Sequence, residues 1–97
     1  MCGLFGYLGK SPCMPIILDG LSRLEYRRYD SAGIATLGKD QICVTKSKGK
    51  VSKLRSLLKE ELNSDYIGIG HTRWATHGKV CDINAHPHKA QDFAIVH

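Results

Sequence analysis

The sequence predicts an α+β fold, and three observations carry that prediction. Strand-like and helix-like segments follow the order strand, helix, two strands, helix, two strands, without the strict alternation of a parallel chain. Two of the strand-like runs, residues 33–37 and 41–47, flank a short Gly-Lys-Asp turn, the pattern of an antiparallel hairpin. Both helical stretches are apolar on one side only, so they should lie on a sheet.

Each element has its own justification. Residues 3–9 alternate and are rich in Leu, Phe and Tyr, which reads as a strand that Ser11-Pro12 ends. From 14 to about 27, Ile17, Leu18, Leu21 and Leu24 recur at helical spacing, with Pro15 tolerated in the first turn. Asp30, Ser31 and Gly33 are turn formers and should stop that helix. After the hairpin, Val51, Leu54, Leu57, Leu58 and Leu62 share one face, predicting an amphipathic helix over 50–62 with its basic side toward water. Residues 66–73 read as a strand, 76 to about 91 as a polar loop, and 93–97 as the start of another strand. That last run reaches the final residue with no clear partner. The expectation is a cut chain with a bare apolar edge, marginally stable and prone to associate.

Composition narrows the class. Ninety-seven residues suffice for one small domain, and 42% hydrophobic with 24% charged residues is globular. No apolar run approaches the ~20 residues of a membrane span, and no basic-then-apolar leader is visible, so no membrane partner and a cytoplasmic location are expected. Cys2, Cys13, Cys43 and Cys81 form no CxxC pair and read as free thiols. The formal charge is +5, with five lysines between Lys39 and Lys53. That stretch lacks the interleaved aromatics of a single-stranded nucleic-acid groove, so it reads as a solvated face with no nucleic-acid partner.

Three short motifs carry chemistry. "MCGLFGYLG" places a cysteine where removal of Met1 would leave it with a free α-amine. Such an amine titrates at about 7.7–8.0 when unperturbed, so base and nucleophile would sit on one residue. Gly3 would let the backbone approach a substrate. "HTRWATHG" (71–78) lies where a strand runs into a loop. Arg73 offers a planar fork suited to a carboxylate, Thr72 and Thr76 offer hydroxyls, and Trp74 can wall a pocket. "NAHPH" (84–88) brings His86 and His88 near His71, His77 and Cys81 in sequence. Zinc is conceivable there, but the spacing matches no common ligand pattern, and the histidines read as groups that order the loop.

"MCGLFGYLG", "LEYRRYDSAG" and "GHTRWATHG…NAHPH", in that order, resemble the glutaminase domain of class II glutamine amidotransferases, and the likeness runs from Met1 to His97. The resemblance implies an N-terminal-nucleophile hydrolase fold, an αββα sandwich, here incomplete at its C-terminus. It implies no cofactor. It implies that Cys2 attacks the side-chain amide of glutamine, releasing ammonia and leaving a γ-glutamyl thioester for water to clear. Arg27 matches the family arginine beside the nucleophile. Arg73 would clamp the glutamine α-carboxylate, with Trp74, Thr76 and His77 around it. In the sugar-phosphate branch of the family, ammonia passes to a separate isomerase domain acting on fructose 6-phosphate, through which the chains pair as homodimers. That domain has no counterpart in residues 1–97. Two departures stand out. Arg28 occupies a position that is usually glycine, and the strand matching 93–97 normally continues into an Asn-Gly pair that forms the oxyanion hole. The resemblance therefore implies impaired hydrolysis. The alternative is a non-catalytic fragment or degenerate copy that binds a partner.

Overall fold

The computed structural model describes residues 2–25, 30–38, 41–58, 65–74, 79 and 81–97. In chain order these form β1 (Gly3–Leu8), α1 (Cys13–Leu24), β2 (Ser31–Leu37), β3 (Ile42–Lys48), α2 (Val51–Leu57), β4 (Ile67–Arg73), β5 (His88–Lys89) and β6 (Ala94–Ile95). Four strands build one sheet in the order β1-β4-β2-β3, every neighbouring pair antiparallel. β5 and β6 form a separate two-stranded ladder. The expected α+β class is the one the chain adopts. No helix among the described residues is long and apolar enough to cross a membrane.

Side-chain alternation gives the sheet two faces. Phe5 and Tyr7 stand opposite Gly70 and Gly68, and Gly70 also pairs with Ile34. This face receives α1. Cys13, Met14, Ile17, Leu18 and Leu21 join Ala32, Ile34, Val51 and Leu54 in one core, with Phe5, Tyr7 and Leu58 packed against it. Ile17, Leu21 and Leu54 are fully buried, each worth roughly 1.5–3 kcal/mol. α2 lies beside α1, over β2 and β3. Its first turn is capped from a distance. The Val51 N–H donates to Glu25 Oε2 at 2.8 Å, which satisfies a donor that the helix cannot.

The structure corrects several boundaries. Ser31 and Gly33 lie inside β2, although their residue types suggested a turn. β2 is central, paired with both β3 and β4, and its burial overrides local preference. α2 stops at Leu57, where Leu58 turns extended (ψ 140°) yet still packs on the core. Residues 26–29 and 59–64 lie outside the described residues, and with them the expected ends of both helices. The final strand is not bare. His88 pairs with Ile95 and Lys89 with Ala94, so part of the expected loop supplies the partner.

Candidate active site

Pairing of β1 with β4 sets Gly3 opposite Thr72. Cys2, one residue before β1, therefore meets the chain just beyond Thr72. The Cys2 thiol donates to the Trp74 carbonyl at 3.7 Å, and the Trp74 N–H donates to Cys2 Sγ at 3.4 Å. The sulfur is thus held against one backbone unit, half-buried. Gly3 has a different reason from the one the sequence suggested. A Cβ there would come within 2.6 Å of Thr72 Oγ1 and 3.0 Å of Leu24 Cβ, so close packing between β1, β4 and α1 requires glycine.

Arg73 ends β4 and is 7% exposed. Its Nη1 donates to the Lys79 carbonyl at 3.3 Å. The Asp30 N–H donates to the Arg73 carbonyl at 2.7 Å, and the Ser31 hydroxyl donates to Asp30 Oδ1 at 3.0 Å. Cys2, the Asp30–Ser31 corner and the Arg73–Trp74 segment are far apart in sequence, and the sheet brings them to one end. Arg27, Arg28, Thr76 and His77 lie outside the described residues, so the geometry speaks for Cys2, Arg73 and Trp74 alone.

A histidine cluster sits on the face away from α1. The His86 ring centroid lies 4.4 Å from that of His71, 4.4 Å from His88 and 4.6 Å from His97. Gly33 makes this packing possible. A Cβ at that position would strike the His86 carbonyl oxygen and come within 2.8 Å of Pro87 Cδ. His71 Nε2 lies 2.6 Å from the His97 carbonyl oxygen. A carbonyl only accepts, so Nε2 carries the proton and Nδ1 is left as an acceptor. His71 Nδ1 and His86 Nδ1 are both buried without a hydrogen-bond partner among the described residues.

Burial pushes the His86 imidazole down to about 4, helped by His71, His88, His97 and Arg73. Burial also lowers His71, with Arg73 and His88 adding to it, while the bond to the His97 carbonyl opposes the shift. His88 is lowered by burial first and then by Lys46, His97 and Arg73. Among the described residues, the charged neighbours acting on the three are cations. Among the described residues, no group of three or more His, Cys, Asp or Glu is placed to hold a metal ion.

Sequence reasoning grouped these histidines as loop-ordering and missed their packing on one another. One signal was available. His71 and Arg73 are two apart on a strand and share a face, so a residue covering one lies close to the other. Chemically, this end of the sheet joins a thiol fit for acyl transfer to a buried guanidinium fit for a carboxylate.

Over its whole length the chain is similar to the N-terminal end of glutamine-dependent amidotransferases. The particular relatives are glutamine–fructose-6-phosphate aminotransferases (isomerizing). Identity is 52% over 99 residues with the protein of Caldanaerobacter subterraneus subsp. tengcongensis. It is 54% over 99 residues with that of Chlamydia muridarum and 52% over 102 residues with that of Aquifex aeolicus. Each match takes in 100% of this chain, which spans only 16% of the length of the first two relatives and 17% of the third. No family model matches the chain.

Proposed function

We propose that the chain takes part in glutamine amide hydrolysis through a Cys2 thioester, supplying ammonia for glucosamine 6-phosphate synthesis from fructose 6-phosphate. The observation that carries this reading is the meeting of Cys2 Sγ with the Trp74 backbone, next to buried Arg73. With Met1 removed, the Cys2 amine accepts the thiol proton as sulfur bonds to the amide carbon. The tetrahedral species then collapses, the C–N bond breaks and the same proton leaves with ammonia. Water attacks the γ-glutamyl thioester, releasing glutamate and restoring the thiol. Arg73 holds the α-carboxylate and Trp74 walls the site. The resemblance assigns Thr76 and His77 to the same pocket and Arg27 to the nucleophile, all three outside the described residues. Fructose 6-phosphate belongs to the isomerase part of the relatives' activity, and the cytoplasm and homodimeric assembly go with the same reading.

The αββα sandwich belongs to this proposal too. Leu4, Leu8, Leu37 and Ile67 are exposed, and they lie on the sheet face opposite α1 at apolar positions that a second sheet would cover. The same exposed face favours the second reading, a partner-binding piece without catalysis. Ammonia release from glutamine separates the two. The hydrolytic reading expects a purified chain without Met1 that releases ammonia slowly, well below the rate of a full-length relative, and loss of that slow release in Cys2→Ser. Equal release by both proteins, or an intact Met1 in an active preparation, would refute it.

A further inference from the structure

Arg73 is held by a hydrogen-bonded relay that begins on the edge strand β3, on the same face of the sheet. Its Nη1 shares the Lys79 carbonyl with a second donor, Asn84 Nδ2, at 2.9 Å. Asn84 is fixed in turn through its two neighbours. Lys46 Nζ donates to the carbonyl of Ile83 at 3.2 Å and of Ala85 at 2.9 Å. Lys46 can reach them because its cross-strand partner is Gly33, the position that carries no side chain beneath the loop. A second tie comes from the same strand, where the Lys48 N–H donates to Asp82 Oδ1 at 2.6 Å.

We infer that Lys46 and Asn84 are positioning residues for the glutamine carboxylate, acting through the Lys79 carbonyl on Arg73. The inference rests on the proposed glutamine site. A guanidinium binds a carboxylate well only when its fork is pre-aimed, and a carbonyl that anchors one edge of the fork sets that aim. Lys46 is suited to the task because an ammonium makes several bonds at once and here spans two carbonyls. Burial lowers its proton affinity, and Asp82 and Cys81 oppose that shift.

The test is labelling of Cys2 in the 97-residue chain by two electrophiles, with the labelled thiol assigned by mass spectrometry. One is a chloroketone analogue of glutamine that retains the α-carboxylate and α-amine; the other is iodoacetamide, which has neither. Lys46→Met and Asn84→Asp should each raise the half-saturating analogue concentration by about fivefold, because each acts only indirectly and the loss that reaches the Arg73 fork is on the order of one weakened hydrogen bond. The maximal labelling rate and the iodoacetamide rate should stay unchanged. Lys46→Arg, which also reaches two carbonyls, should restore most of the affinity. If Lys46→Met fails to fold, Asn84→Asp alone decides. Unchanged half-saturation in a folded variant overturns the inference while leaving the glutamine site intact. An unmodified chain whose Cys2 shows no saturable preference for the analogue removes the glutamine site and the inference together.

Discussion

The two faces of the four-stranded sheet are held by different forces. On the helical face, α1 and α2 bury leucine, isoleucine and valine in one apolar core. On the other, the 81–97 segment is held largely by polar ties to the sheet, among them Lys46 to two carbonyls, Lys48 to Asp82 and His71 to His97. An apolar core tolerates many sequences of similar volume. A polar network fails when one partner leaves, because the remaining groups are buried and unpaired. The candidate site belongs with the second kind. Its thiol and its guanidinium are placed by backbone carbonyls and N–H groups, and little of its geometry depends on leucines.

The largest effect should come from the helical face. Leu21→Ala removes a fully buried side chain and should cost about 2–5 kcal/mol in urea unfolding. It should lower stability at every pH alike, because no titrating group is involved. A pH-dependent loss in this variant would mean that the two faces are coupled and the comparison fails.

The second effect belongs to the histidine face. Above about pH 6.5, His86 is neutral whether the chain is folded or not. Between the ordinary value of 6.5 and about 4, the unfolded chain takes a proton that the folded one refuses. Stability therefore falls as pH falls through this window, by an amount on the order of 1–3 kcal/mol, and levels off below it. His71 and His88 shift in the same direction and steepen the loss. Urea midpoints measured from pH 8 to pH 4 should decline, and His86→Gln should flatten the decline. A flat profile in the unmodified chain would show that the cluster is open to water.

These two faces were unequally legible in the sequence. Ile17, Leu18 and Leu21 announced α1 by spacing alone, because an amphipathic helix needs only its own period. Strands β1 and β4 were legible for the same reason, within a residue or two. Ser31 and Gly33 misled, since their residue types describe isolated turns while a central strand flanked on both sides overrides them. The role of Gly33 needs His86 and Pro87, more than fifty residues away, and no local pattern encodes such a contact. Cys2, Arg73 and Trp74 were singled out through two motifs, and the pairing of β1 with β4 brings them to one end of the sheet. The Lys79 carbonyl that anchors Arg73 was not, because a backbone acceptor has no residue signature.

The smallest effect should come from the surface. Arg55 Nη2 and Asp19 Oδ1 lie 3.5 Å apart between α2 and α1, with side chains 49% and 74% exposed. Water screens such a pair, so Arg55→Ala should change stability by less than about 1 kcal/mol. A larger loss, persisting in high salt, would mean that α2 is held by charge and not by Val51 and Leu54.

The central claim is that Cys2, against the Trp74 backbone, is the thiol that meets glutamine. Its most direct test is protection. The chain is alkylated with iodoacetamide with and without glutamine, and the rate at each of Cys2, Cys13, Cys43 and Cys81 is followed by peptide mass spectrometry. Saturating glutamine should slow modification of Cys2 alone, and glutamate amide analogues lacking the α-carboxylate should not. Alkylation of Cys2 at one rate regardless of glutamine would contradict the account.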